Sequence, residues 1–396
     1  MHQSVRTLVT LVVACSLLAA AGGLDRIATA APYHDPPAPK LGAYYLAIGD
    51  SLAYGITAPD VPPDPTCHSI DAPGYVCLFY RYLHQIAPAI QLKNLAVPEM
   101  DSCILVNGYG NGSPCATAPP GGAVGSPLAA AVQFLKDHPG QVSPITVNVG
   151  GADLVPLLPA AVSDPAGTAA RLPGLFRALQ TNFATALGQL RAAAGPDTEI
   201  IVATQYNPLG GIPAPPLTPG LPDIARGAIS ALNQVLKGVA AKDDARVADV
   251  AAAFDANPQG AAVLTFVPTT LAGGDPSKID IYPTPDGYTL YGQSIFRASG
   301  YLLPLKVAAR LSHPVLKRRG LETVKGATTV DASVTIAYRL PHGTTRHKVI
   351  VASNAGNYTL SFHVGKKSGA GAVRVCASDP FSSTSKCARK LSFRVR

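Results

Sequence analysis

The sequence predicts an α/β protein with a doubly wound parallel sheet, followed by a small all-β domain. Two patterns indicate this: five strand-like segments alternate with helical ones as far as residue 309, and beyond Leu316 the apolar period changes to two. The length of 396 residues and the hydrophobic content of 47% are sufficient for two folded domains. We therefore expect right-handed crossovers between parallel strands in the first domain.

The elements of the first domain are predicted from apolar runs and helical spacings. A helix over 76–86 follows from apolar residues that recur at spacings of three and four. The predicted strands are Tyr44–Ile48, Gln91–Val97, Ile145–Val149, Glu199–Ala203 and Arg246–Val250, and the other helices are Leu128–Leu135, Gly174–Ala193, Ile224–Ala241 and Gly287–Ala309. Ligands of such sheets bind at the carboxyl ends of the strands, where Ser51, Gly150 and Tyr206 would lie.

The second domain is predicted to be a β-sandwich of immunoglobulin-like type. From Val330 to Leu340 apolar and polar residues alternate, as in a strand with one buried face. Further strands are expected at Lys348–Ala352, Tyr358–Val364, Ala372–Ala377 and Lys390–Val395. Short strands at intervals of roughly ten residues are typical of small sandwiches.

The N-terminus has the pattern of a secretory signal peptide. Arg6 provides a positive charge, Thr7–Gly23 is almost uninterrupted apolar sequence, and Ala28–Ala30 fits the small-residue cleavage rule. Cys15 loosely resembles a lipoprotein cleavage site, although the apolar segment continues past it. We predict a signal peptide at 1–30, a Pro-rich linker at 31–40, the α/β domain at 41–312 and the β domain at 313–396. The protein is expected to be secreted, either extracellular or associated with the cell wall.

Six cysteines remain after removal of the signal peptide, and an even number in an exported chain indicates a disulfide framework. Local pairing is the simplest of the connectivities that stay open: Cys67–Cys77, Cys103–Cys115 and Cys376–Cys387. The sequence has no metal-ligand spacing, no phosphate-binding glycine loop and no nucleic-acid signature. We therefore expect no metal, no cofactor and no specific nucleic-acid partner.

The positive charge is concentrated in the β domain. From His313 onward there are 15 Lys and Arg residues against 3 Asp and Glu, while the rest of the chain has 17 against 21. Such a domain could attract an anionic cell-wall polymer or membrane surface. The alternative is a charge that serves solubility alone.

The stretch Tyr44–Gly55, with the sequence YYLAIGDSLAYG, is the first candidate for a functional site. Ser51 lies just beyond an apolar strand, on a turn opened by Gly49, which is where α/β hydrolases place a nucleophile. The alternative is that the turn only caps the next segment. Two long Pro- and Gly-rich segments, Ser102–Ser126 and Leu209–Pro222, are predicted to be walls or lids of the site, or else inert surface loops.

Four separated segments resemble the SGNH/GDSL hydrolase family. They are YYLAIGDSLAYG, NLAVPEMDSC, VSPITVNVGGADL and DIYPTPDGYTLYG, which are similar to the first, second, third and fifth blocks of the family, in the family's order. The resemblance covers roughly Leu41–Leu311. It implies a flavodoxin-like sheet and a serine hydrolase of the esterase and lipase class, whose substrate is an ester or acyl-carbohydrate, either a small molecule or a lipid.

The resemblance also assigns roles to the first three blocks. Ser51 stands at the nucleophile, whose N–H also faces the oxyanion. Glu99 stands at the second-block glycine, which provides a main-chain N–H. In the third block Gly151 precedes Ala152, which replaces the asparagine that donates a further hydrogen bond. The predicted oxyanion region therefore consists of Ser51, Glu99, Gly151 and Ala152.

The fifth block departs furthest from the family. Tyr282 stands at the position of the catalytic histidine, and Asp280, the candidate orienting carboxylate, precedes it by two residues instead of three. Loss of the base of such a triad costs roughly 10⁶ in rate. His68, in the loop after Ser51, is the one histidine predicted to be a substitute base.

Two functions are compatible with these residues. The first is a secreted serine hydrolase acting on carboxylic esters, with weak or unusual activity. The alternative is a catalytically inactive module of the same fold that binds an acyl or glycan ligand at the cell surface.

Overall fold

The computed structural model describes residues 40–396, apart from 58–60, 70, 111, 116–118, 120, 213–216, 218–219, 258–259, 273–279 and 382–383. The predicted signal peptide and linker residues 31–39 lie outside the described residues. Among the described helices, none has both the length and the apolar character that crossing a bilayer requires.

The first domain contains a five-stranded parallel sheet in the order β2-β1-β3-β4-β5. Its strands are β1 (Tyr44–Gly49), β2 (Gln91–Asn94), β3 (Val142–Asn148), β4 (Ile200–Ala203) and β5 (Arg246–Ala248). Every residue of β3 and β4 is buried, because helices cover both faces of the sheet. This order is that of a flavodoxin-like sheet, so the predicted α/β class is confirmed.

The helices form the layers on either side of this sheet. They are α1 (Ser51–Tyr54), α2 (Tyr75–Ile86), α3 (Ser102–Asn107), α4 (Pro127–Asp137), α5 (Gly151–Leu154), α6 (Leu158–Ser163), α7 (Pro165–Ala194), α8 (Leu221–Lys242), α9 (Val250–Asp255), α10 (Ala261–Leu264), α11 (Val267–Ala272) and α12 (Pro285–Ser299). One core contains Tyr45, Phe79 and Tyr291, and a second, on the other side of the sheet, contains Ile48 and Phe183. The long helices were predicted, although α7 begins nine residues earlier than expected.

The predicted closing helix Gly287–Ala309 is wrong in its second half. Helix α12 ends at Ser299, because Gly300 adopts a left-handed conformation with φ of 71° and Pro304 cannot continue a helix. Residues Val307–Leu311 instead form strand β6. The all-β region therefore begins before the predicted boundary at His313.

The all-β region consists of two sheets that share one core. One has the order β10-β9-β12-β14-β7, with β13 paired to β12, and the other has the order β11-β8-β6. The strands after β6 are β7 (Val315–Leu316), β8 (Leu321–Thr328), β9 (Ser333–Arg339), β10 (Thr345–Val351), β11 (Asn357–His363), β12 (Gly369–Ser378), β13 (Ser385–Cys387) and β14 (Leu391–Val395). Val324 and Phe362 of the smaller sheet pack with Ile336 and Phe393 of the larger one. A small β domain is confirmed, and its immunoglobulin-like type stays a prediction.

Three disulfide bonds stabilise loops and strands in both domains. They are Cys67–Cys77, Cys103–Cys115 and Cys376–Cys387, which are the locally paired cysteines of the prediction. Disulfides are typical of exported proteins.

Candidate active site

Ser51 lies at the switch point of the sheet. Strand β1 has β2 on one side and β3 on the other, and the crevice at such a point is where α/β sheets bind ligands. Gly49 ends β1 in close contact with β3, since a Cβ there would lie 2.9 Å from the carbonyl oxygen of Asn148. Asp50 then caps α1 by accepting a hydrogen bond from the N–H of Leu52 at 2.9 Å. The Ser51 side chain is thereby fixed at the carboxyl edge of the sheet, where the residue is only 6% exposed.

Glu99 provides a main-chain donor to Ser51. Its N–H donates to Ser51 Oγ at 2.9 Å. Its φ is 58°, in the left-handed region that favours glycine. The glycine-type conformation and the N–H of the second block are thus both present, although the residue is a glutamate.

Tyr282 is hydrogen-bonded to Ser51 through its side chain. Burial raises the pKa of the Tyr282 phenol above its ordinary value, the bond with Ser51 lowers it in part, and the carboxylates of Asp50, Glu99 and Asp280 raise it further. A phenol with a raised pKa keeps its proton at neutral pH. Tyr282 is therefore a poor base for the Ser51 proton, although the two side chains are hydrogen-bonded.

Asp280 bonds to the main chain beside this phenol. Its carboxylate accepts a hydrogen bond from the N–H of Tyr282 at 2.9 Å, and burial raises its pKa. This bond fixes the turn that carries Tyr282. Asp280 therefore orients the main chain at this position and is not seen bonded to the ring hydroxyl.

A buried amide network lies behind Ser51 and was missed by the sequence analysis. Asn148 Nδ2 donates to Asp50 Oδ1 at 3.1 Å, and the Oδ1 atom of Asn148 accepts a bond from Gln205 Nε2. Burial raises the pKa of Asp50 to about 7, and the charge of Asp153 adds to the effect. The only signals in the sequence were two polar residues at the ends of apolar strands, in VNVGG and TQYNP.

The third block forms the turn between β3 and α5. A Cβ on Gly151 would lie 3.3 Å from Gln205 Oε1 and 3.4 Å from Asp50 Oδ2, so this position has little room for a side chain. Ala152 borders the cavity described below and offers only a methyl group. Asp153 accepts hydrogen bonds from the hydroxyl and the N–H of Ser102, at 2.6 and 3.0 Å, and burial raises its pKa to about 7. Ala152 therefore provides no side-chain hydrogen-bond donor at this turn.

A cavity of about 630 Å³ extends from Ser51 under the first helices after β3 and the start of α8. Its walls are mostly apolar and include Leu154, Leu158, Leu172, Leu221, Ile224 and Ile229. Its polar lining includes Ser51, Gln205 and Thr168. Among the described residues that line it there is no histidine. A mostly apolar lining with a few polar groups suits an apolar ligand that carries a polar group.

The predicted lid segments contribute unequally to this cavity. Leu209 and Leu221, from the second segment, lie in its wall, while 213–216 and 218–219 are outside the described residues. In the first segment, Ser102–Asn107 forms helix α3, and no described residue of that segment lines the cavity.

His68 lies away from Ser51. It is exposed, its Nδ1 is 2.7 Å from Thr66 Oγ1, and it lines a different cavity of about 780 Å³ with Tyr80 and His84. The Thr66 hydroxyl donates its hydrogen bond to Asp64 Oδ1, so it can only accept from His68. The His68 Nδ1 therefore carries a hydrogen and donates to Thr66 Oγ1. The structure does not bring His68 to the serine, so it is not placed as a substitute base.

In comparisons with known proteins, the chain is similar to solved structures. No family model and no curated protein sequence matches the chain. Among solved structures, the phospholipase A1 of Streptomyces albidoflavus NA297 is similar, with 18% identity and a TM-score of 0.44 over 65% of this chain and 99% of that one. A GDSL-like lipase of Parabacteroides merdae ATCC 43184 is also similar, with 13% identity and a TM-score of 0.40 over 66% of this chain and 97% of that one. The fold assignment itself rests on the strand order of the sheet.

Proposed function

We propose that the α/β domain is an SGNH/GDSL-type hydrolase domain that binds an acyl chain in the cavity beside Ser51 without efficient ester hydrolysis. The observation that favours binding over catalysis is the hydrogen bond between Ser51 and Tyr282. A serine nucleophile needs a neighbouring base, and this neighbour holds its own proton. The three disulfides favour a protein that acts outside the cytoplasm.

The cavity supports an acyl ligand. Apolar side chains line most of its length, and burial of a chain there would remove apolar surface from water. Beside Ser51 the cavity offers the N–H of Glu99 together with the side chains of Ser51 and Tyr282. These neutral groups suit the uncharged carbonyl of an ester, since the nearby carboxylates would repel an anion.

Binding can be tested with a fluorescent fatty acyl ester titrated into the full chain. Ala228→Phe places a ring in the cavity wall, whereas Ala170→Phe adds the same ring at an exposed helical position outside the lining. We expect the first variant to weaken binding at least tenfold and the second to leave it unchanged. Equal affinities for the two variants, both still folded by circular dichroism, would contradict the proposal.

A second candidate function is slow ester hydrolysis through Ser51. The observation in its favour is the Glu99 N–H at 2.9 Å from Ser51 Oγ, since one main-chain donor of the oxyanion site is in place. Hydrolysis of an activated aryl ester separates the two functions. If Ser51→Ala abolishes the rate of the wild type, hydrolysis through Ser51 is established. If the wild type and Ser51→Ala have equal rates, ligand binding is the only one of the two functions that is left.

A further inference from the structure

The outer face of the six-stranded sheet carries exposed arginines from three neighbouring strands. Alternation along each strand fixes their direction: Arg339 follows the buried Tyr338 in β9, Arg374 lies between two buried valines in β12, and Arg394 lies between buried residues in β14. All three arginines are exposed. We call these three side chains, with the residues between them, the cationic face.

The register brings two of these arginines close together. Arg339 is opposite Ala372, which places it diagonally from Arg374 at roughly 7–8 Å between Cα atoms. Arg394 is opposite Ala370, four residues from Arg374 along β12, so it lies further along the same face, more than about 10 Å from Arg374. The residues between the arginines are small, including Ala372 and Ser392, so the face is flat and the guanidinium groups are not shielded.

Among the described residues, no carboxylate neutralises the cationic face. Glu322 is buried in the other sheet and accepts hydrogen bonds from main-chain N–H groups, among them that of His313. Asp331 accepts a bond from Tyr82 of the α/β domain, and Asp379 accepts one from the N–H of Phe381. Within the described part of the chain, none of the three arginines forms an ion pair.

We propose that the cationic face binds a linear polymer that carries phosphate groups. Arginine presents a planar fork of donors that matches a phosphate with two parallel hydrogen bonds, and a row of such forks suits a repeating anion. The outward residues of β9, β12 and β14 include no Phe, Tyr or Trp. Proteins that bind single-stranded nucleic acid use such rings to stack bases, so this face recognises phosphates without reading bases.

The chain offers a matched control on its other sheet. Arg310 and Lys325 are exposed, paired residues on the outer face of the three-stranded sheet. The double variant Arg339→Gln with Arg374→Gln and the double variant Arg310→Gln with Lys325→Gln remove the same charge from opposite faces. Net charge alone would make the two variants equivalent.

Titration of the full chain with long-chain inorganic polyphosphate, over a range of salt concentrations, tests the proposal. We expect the cationic-face variant to bind at least tenfold more weakly, with a salt slope reduced by roughly one for each phosphate that the variant no longer neutralises. The control variant should bind within about threefold of the wild type, the change expected from weak screened charges. The proposal is overturned if both variants lose affinity equally. It is also overturned if the full chain binds polyglutamate more strongly than polyphosphate, or if it binds anionic phospholipid vesicles but not polyphosphate.

Discussion

The phenol of Tyr282 is hydrogen-bonded to the hydroxyl of Ser51, and Tyr282 stands where the resemblance to the SGNH/GDSL family predicts a catalytic histidine. A phenol of ordinary pKa near 10 is ionised in only about one molecule in a thousand at neutral pH, and burial lowers that fraction here. Ser51 Oγ accepts from the Glu99 N–H, and its neighbour on the fifth-block turn is a protonated phenol. Neither group removes a proton from the serine, so its activation is not supported by these neighbours.

Restoration of the family's residues should create esterase activity. Tyr282→His combined with Ala152→Asn supplies a base beside Ser51 and a side-chain donor beside its oxyanion. One such donor is worth about 10²–10³ in rate and the base more, so we expect at least a hundredfold rise in the hydrolysis of a p-nitrophenyl ester. The rate is measured at about pH 8, where a histidine of ordinary pKa is neutral.

Two further variants distinguish this gain from a mere opening of the cavity. Tyr282→Phe removes the phenol hydroxyl without adding a base, and it should not raise the rate. Adding Ser51→Ala to the restored variant should abolish the gain. A gain that survives loss of Ser51 would show that the activity arises elsewhere.

Glu99 should carry a measurable conformational cost. An L-residue in the left-handed region is destabilised by roughly 1–2 kcal/mol relative to glycine, offset in part by the greater freedom of glycine in the unfolded chain. We expect Glu99→Gly to have a free energy of unfolding about 1 kcal/mol higher than Glu99→Ala, measured by urea denaturation. The pair isolates the backbone effect because both variants remove the carboxylate. An alanine variant as stable as the glycine variant would show that φ at this position costs nothing.

The sequence was sufficient for the strand that precedes Ser51 because the strand is uniformly apolar and ends in a glycine. It was insufficient for His68, since closeness along the chain does not decide which side of a domain a loop faces. Asn148 and Gln205 were missed because a polar residue at the end of a buried strand has no periodic signal. The end of helix α12 could have been predicted from Gly300, because glycine readily adopts the left-handed conformation that ends helices. The apolar pattern that continues beyond Gly300 belongs to the next segment.

The contact between Tyr82 and Asp331 should stabilise the junction of the two domains. Tyr82 is fully buried and donates its hydroxyl to the Asp331 carboxylate, whose pKa is raised by burial. Tyr82→Phe leaves that carboxylate without this donor, and we expect a loss of about 1–3 kcal/mol in the free energy of unfolding. Tyr80→Phe is the control, because Tyr80 donates to a carbonyl oxygen at 3.0 Å and should cost only about 0.5–1.5 kcal/mol. A larger loss for Tyr80→Phe would contradict this ranking.

Asp50 should make the protein less stable as the pH rises. Its pKa is about 7 in the folded state, against an ordinary value of 3.8. Between these values the folded protein holds a proton that the unfolded chain has released, so the free energy of unfolding falls as pH increases. The stability that Asp50 contributes through its raised pKa is fully present below about pH 4 and is lost by about pH 7. For a pKa shift of this size it is on the order of 2–4 kcal/mol in the free energy of unfolding.

Asp50→Asn removes this titration and keeps the atoms that form the cap. The amide oxygen can still accept from the N–H of Leu52 and from Asn148 Nδ2, so the local fold should persist. We expect the variant to match the wild type near pH 4.5 and to be the more stable protein near pH 8, measured by urea unfolding across that range. Asp153, whose pKa is also raised to about 7, remains in the variant and leaves it a smaller slope of the same sign. Parallel curves for the two proteins would show that Asp50 is already ionised in the folded state at low pH.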